Sequence, residues 1–218
     1  MRVINLIFTL LIALGLNGCT NEYMKVPFSV EVDFSKKGTV YETDFKAPWN
    51  IWGSVVAFSL VITHVAQDKR YFSRTKEEES LLRYIRFGNR LGTKLPEGLK
   101  DNQYFKLKVT LTPLGWASNE IRVHTIDYSK TNRGEGQFGW MYEDGTWTRK
   151  MYQKDEKIEF IIDIPLYDGV GGRGGKYIML ADLQRLRNYH IRVESLEDVE
   201  LPEGLKIRFA IERHSRKH

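Results

Sequence analysis

Residues 169–174 read GVGGRG, the G-x-G-x-x-G spacing with which a tight turn brings backbone amides against a pyrophosphate. Such a fingerprint works when its first glycine ends a buried parallel strand and the helix that follows holds the phosphate at its N-terminus. The run IEFIIDI, residues 158–164, supplies an apolar segment before it, and YIMLADLQRLRN after it can be written as a short helix. Glu194 even stands about 20 residues beyond Gly174, where a ribose-binding acid would be. Against this, PLYD separates the apolar run from Gly169, and Pro165 interrupts its ladder. The flanking segments also carry Lys157, Glu159, Arg192 and Glu194 in alternation, whereas strands of a parallel sheet are apolar on both faces. The expectation is a glycine loop joining two strands, with no nucleotide or other cofactor.

Other chemistry-bearing residues are scattered. His64, His124, His190, His214 and His218 have no ligand spacing, so no metal site is expected. No G-x-S-x-G elbow, H-E-x-x-H pair or Walker lysine loop occurs, and the chain is read as not an enzyme. The densest aromatic stretch is QFGWMYEDGTWTRKMY, residues 137–152, around an EDGT turn whose Gly145 can take a positive φ. Its Phe138, Trp140, Tyr142, Trp147 and Tyr152 are either core rings or an exposed patch that anchors a protein or sugar ligand. Trp140, Tyr142 and Trp147 are the candidate partner-binding residues.

The remaining reactive residue is Cys19, the only cysteine, so no intrachain disulfide can form. It follows MRVINLIFTLLIALGLNG, in which Arg2 precedes an apolar run from Val3 to Leu16, the form of a secretory signal peptide. That run is shorter than the roughly 20 residues of a membrane-spanning helix. LNGC resembles the lipobox of bacterial lipoproteins, although Asn17 stands where a small residue is usual. The resemblance implies acylation of Cys19 and removal of residues 1–18; the alternative is a stray cysteine in a discarded peptide. Several acyl chains would hold the protein stably where one holds it only marginally. Thr20 rather than Asp after the cysteine implies, by the same family's sorting habit, an outer-membrane anchor facing the periplasm.

The chain has 33 basic and 28 acidic side chains, and loss of residues 1–18 removes only Arg2, leaving a net +4. Without a run of five like charges, and in that compartment, nucleic acid is not an expected partner. The expected organisation is a signal peptide over 1–18, a lipidated tether over 19–25 and a single domain over 26–218.

Within that domain the apolar period is two, the mark of half-buried antiparallel strands. Phe28, Val30, Val32 and Phe34 share a face in FSVEVDF, which a turn ends at Gly38. Val56, Phe58, Leu60 and Ile62 do so in VAFSLVI, and Phe105, Leu107, Val109 and Leu111 in FKLKVTL. KIEFIIDI, YHIRVES and KIRFAIE repeat the pattern with Ile158, Phe160, Ile162 and Ile164; with Tyr189, Ile191 and Val193; and with Ile207, Phe209 and Ile211. One segment differs: Thr75 and Glu78 form a capping box before a stripe of Leu81, Leu82 and Ile85, predicting a short helix near 76–85. The fold class is therefore mainly β, an antiparallel β-sandwich, the immunoglobulin-like form being one option. LPEGLK occurs at both 95–100 and 201–206, either from an old duplication or as one favoured turn used twice.

With the lipobox, VDFSKKG, LKVTLTPL and YHIRVESLEDVELPEGLKIRFAIERH together, the chain resembles a family of proteobacterial lipoproteins known only as a domain of unknown function. That resemblance implies a β-sandwich and brings no catalytic residues. In type and compartment the chain is also similar to the periplasmic immunity lipoproteins that neutralise type VI secretion effectors. The functional expectation is an outer-membrane-anchored module bound to the bilayer through Cys19 and holding a protein partner, such as a toxin. The alternative is an envelope structural or assembly lipoprotein that binds peptidoglycan or another envelope component.

Overall fold

Period-two patterning becomes, in the computed structural model, eleven strands in two packed sheets; the described residues are 23–49, 55–67, 73–87, 100, 103–118, 120–129, 147–167 and 175–214. In chain order the strands are β1 (Met24–Lys25), β2 (Phe28–Glu31), β3 (Val40–Lys46), β4 (Val55–His64), β5 (Tyr104–Leu114), β6 (Ile121–Ile126), β7 (Trp147–Tyr152), β8 (Ile158–Pro165), β9 (Gly175–Asp182), β10 (Asn188–Ser195) and β11 (Leu205–Arg213). One sheet has the order β1-β3-β10-β5-β8 and the other β2-β11-β4-β9-β6-β7. Every pairing is antiparallel except β1 with β3. This is the expected antiparallel β-sandwich.

The facing sides of the sheets make the core, and burying them is the main stabilising term. Phe105, Leu107, Val109 and Leu111 of β5 stand beside Tyr189, Ile191 and Val193 of the neighbouring β10, all essentially inaccessible to water. Phe58, Leu60 and Ile62 of β4 and Phe209 and Ile211 of β11 answer from the other sheet. Phe45 bridges the layers, its ring 5.6 Å from Phe58 and 5.9 Å from Tyr189. The outward side of the five-stranded sheet is a ladder of exposed ion pairs, such as Arg192 with Glu42 and Glu194, and Lys108 and Lys157 with Glu159. Such pairs contribute little each.

The helix α1 runs from Lys76 to Phe87, two residues past its expected end. Its capping box forms as the sequence implies: the Glu78 amide donates to Thr75 Oγ1 at 3.1 Å and the Thr75 amide to Glu78 Oε2 at 3.0 Å. Leu81, Tyr84 and Ile85 form the buried stripe, and Leu82 is only half-buried. Among the described residues no helix is long and apolar enough to cross a membrane.

One expected element differs. The strand read over Phe28–Phe34 ends at Glu31, and Phe34 reaches the core from the turn that follows. The run YIMLAD, which can be written as part of a helix, is strand instead: it lies in β9, paired with β4 and β6. A strand therefore follows residues 169–174, which themselves lie outside the described residues, so the helix N-terminus that a dinucleotide fingerprint needs is not there.

Candidate functional site

At the end of the sandwich where β4 finishes and β11 begins, two connections cross between the sheets. Residues 32–39 carry the chain from β2 to β3, and residues 196–204 carry it from β10 to β11. Together they border an open cleft of about 700 Å³, lined by Val32, Leu201 and Leu205 among the charged Glu31, Asp33, Lys36, Glu200 and Lys206. That volume falls within the range of small-ligand pockets and equals a few side chains of an inserted loop.

The crossing loops are held by their own polar groups, so the cleft is built on a firm frame. The Ser35 amide and hydroxyl both donate to Asp33 Oδ1. Ser35 in turn accepts the Val199 amide at its carbonyl, 2.8 Å away, and the Lys37 amide donates to Asp198 Oδ1 at 2.9 Å. Buried Ser195 donates its hydroxyl to the Phe34 carbonyl at 2.9 Å, while Gly38, at φ +81°, donates its amide to the Ser195 carbonyl at 2.8 Å. Glycine takes this left-handed conformation without the steric cost that a Cβ would bring.

The second LPEGLK closes the cleft. The Leu205 amide donates to the Pro202 carbonyl at 3.2 Å and Gly204 has φ +79°, the pattern of a type II turn. His64 supports that turn from below. Its Nε2–H donates to the Glu203 carbonyl at 3.0 Å, while its Nδ1 accepts the Ala66 amide at 3.1 Å, which fixes the neutral tautomer. A Cβ on Gly204 would sit 2.8 Å from His64 Nε2 and 2.9 Å from Val65 Cγ2. Lys100, the last residue of the first LPEGLK, reaches Glu200, the residue before the second, with Nζ at 2.9 Å. Hydrogen bonding to Lys100 holds the Glu200 carboxyl below the ordinary carboxylate range, and the same bond raises Lys100.

Cys19, Trp140 and Tyr142 lie outside the described residues. Trp147 opens β7 opposite Ile126, half-buried on the outer side of the six-stranded sheet, its ring centroid 5.9 Å from that of Tyr177. There it packs against a small cluster of Val55, Ala57 and Leu180, separate from the main core. The described histidines are dispersed. His190 Nδ1 meets Asp44 at 2.7 Å on the exposed ladder, buried His124 approaches Asp182 at 3.9 Å, and His214 sets its ring edge-on to Tyr177. Among the described residues no three His, Cys, Asp or Glu side chains stand close enough to share a metal.

Sequence reasoning missed the cleft because its lining comes from two loops far apart in the chain. It also passed over Lys176, which the register sets beside Leu60 and which is wholly buried. The signal for the cleft was the second LPEGLK turn, and nothing in the sequence marked Lys176.

A scan against family models and a search of curated proteins find no match. Among solved structures the chain is similar to a protein from Sulfurospirillum deleyianum, at 15% identity and a TM-score of 0.46, over 87% of this chain and 98% of that one.

Proposed function

We propose that this protein is a lipid-anchored periplasmic binding module. Cys19 carries the acyl anchor, the outer membrane is the address, and the occupant of the cleft is a segment of a protein partner, such as a toxic effector to be neutralised. The observation that carries the reading is the firmly braced cleft at Val32, Leu201 and Leu205, which lies away from the point where the N-terminal chain joins the sheet. Apolar side chains ringed by charge, on loops fixed by a sandwich, are the usual makings of a recognition site.

The test uses the single cysteine. In acylated protein Cys19 has no free thiol, so Lys36→Cys creates a unique site for a photocrosslinker at the cleft. Crosslinking in intact envelopes should yield one discrete adduct with a protein, lost on Leu201→Asp at an unchanged thermal midpoint. No adduct, or the same adduct from Lys25→Cys at the other end, refutes the cleft.

A further inference from the structure

The opposite end of the sandwich carries an unusual surface. Three connections meet there: the exit of β3 at Ala47–Trp49, the β5–β6 turn at Gly115–Glu120 and the β9–β10 turn at Leu183–Arg187. They are joined directly, because the Ala47 amide donates to the Arg187 carbonyl at 2.8 Å, the Leu186 amide to the Ala47 carbonyl at 3.1 Å, and the Ser118 amide to Gln184 Oε1 at 2.8 Å. From this platform Trp116 projects 90% exposed, Trp49 56% and Leu186 49%.

Each of the three is costly to leave in water, and Leu186 is costly in its backbone as well. It takes φ +57°, a conformation that Gly or Asn adopts readily and a branched side chain does not. Around these residues lie the exposed Lys25, Lys46, Arg185 and Arg187, with Arg185 stacked 5.6 Å from the Trp49 ring, and one exposed carboxylate, Glu120. Indole rings and basic side chains around a leucine are the composition that settles at the headgroup level of a bilayer.

We propose that this end, with Trp116, Trp49 and Leu186 at its tip, docks on an anionic phospholipid surface. The charge is complementary: among the described residues of this end, four exposed cations stand against one exposed carboxylate, each cation near an anionic surface multiplying partitioning roughly fivefold. The chain path agrees, and this step rests on the Cys19 anchor. β1 sets Met24 beside Phe45, one residue from the end of β3, and Met24 is five residue steps from Cys19, a reach of about 17 Å. The far end of β5 lies about 34 Å from Leu114, beyond that reach, so an acyl chain on Cys19 brings this end to the membrane and leaves the cleft pointing away.

The test reconstitutes the full-length protein into phosphatidylethanolamine–phosphatidylglycerol vesicles whose acyl chains carry bromine, which quenches nearby indoles. Trp116→Phe should remove a large share of the quenchable emission, and Trp147→Phe should leave that share intact. Arg185→Gln/Arg187→Gln should weaken docking about 25-fold, and neutral phosphatidylcholine vesicles, which remove the attraction of all four cations, should weaken wild-type docking further, by up to about 600-fold. Trp116 is exposed, so thermal midpoints should not move. Unchanged quenching in Trp116→Phe overturns the proposal. So does loss of a crosslinked protein partner on Trp116→Ala without any change in quenching. Acyl labelling of Cys19 is read in parallel: label without Trp116 quenching sinks the docking surface alone, and Trp116 quenching without label sinks the anchor alone.

Discussion

Gly204→Ala should cost about 2–4 kcal/mol, a large penalty for one methyl group. Two terms contribute. Alanine at φ +79° gives up roughly 1–2 kcal/mol that glycine does not. The new Cβ would also stand 2.8 Å from His64 Nε2 and 2.9 Å from Val65 Cγ2, so the imidazole must turn away and its bond to the Glu203 carbonyl is lost. That hydrogen bond contributes about 1 kcal/mol net, and an unsatisfied N–H at a buried ring can cost more. Urea unfolding of the two single variants and of Gly204→Ala/His64→Ala forms a double-mutant cycle. The ring contact should appear as a coupling of about 1 kcal/mol or more, leaving a remainder from φ and Val65. A single-variant cost under about 1 kcal/mol, or additivity within error, would refute the reasoning.

Other consequences are simpler to state. Tyr128 is raised well above the ordinary tyrosine range, chiefly by burial, so its share of stability is whole below pH 10 and is lost as pH rises toward its folded value. Tyr128→Phe should give up the 2.8 Å bond to the Tyr177 carbonyl, about 1 kcal/mol at neutral pH, and make the alkaline limb of stability shallower, as read by circular dichroism against pH. Ile191→Ala, between Thr43 and Leu111 in the core, should cost about 2–5 kcal/mol in chemical denaturation, whereas Arg192→Ala beside it should hardly shift the midpoint. Trp147→Ala should cost about 1–2 kcal/mol, less than a core tryptophan, because the ring is only half-buried. Cys19→Ala should abolish incorporation of labelled palmitate, and equal labelling of variant and wild type would remove the anchor.

Strands with one wet face were readable because each apolar residue faces inward at every second position, as in FKLKVTL. β1 is too short to show a period, and three longer strands escaped for identifiable reasons. In β3 the inward row is Tyr41, Thr43 and Phe45, and a threonine in the middle breaks the apolar count. In β6, His124 is buried on the side away from the main core, opposite Leu180, so the polar residue does not mark a wet face. In β9, Ile178, Met179, Leu180 and Ala181 are all buried, because both sides of the strand are covered and its register with β4 shifts between Phe58 and Ser59. A continuous apolar run has no period to separate strand from helix. The cleft and the exposed tryptophan platform were illegible for another reason: each is assembled from turns whose meeting depends on topology, and turn chemistry alone does not reveal which turns share an end.

The strand order has a kinetic meaning. β4, residues 55–64, takes β11, residues 205–213, as one of its two neighbours, and β3, residues 40–46, pairs with β10, residues 188–195. An interior position of each sheet is thus filled by chain made long after its neighbours β3 and β4. At about 5–20 residues per second, a ribosome needs on the order of ten seconds or more to supply those partners. Meanwhile β2 and β4 have an open side that invites pairing with other chains. Such long-range pairing also slows closure once the chain is complete. The nascent protein accordingly spends its early life as a client of whatever keeps unpaired strands apart, and a chain stopped before residue 205 would never leave that state.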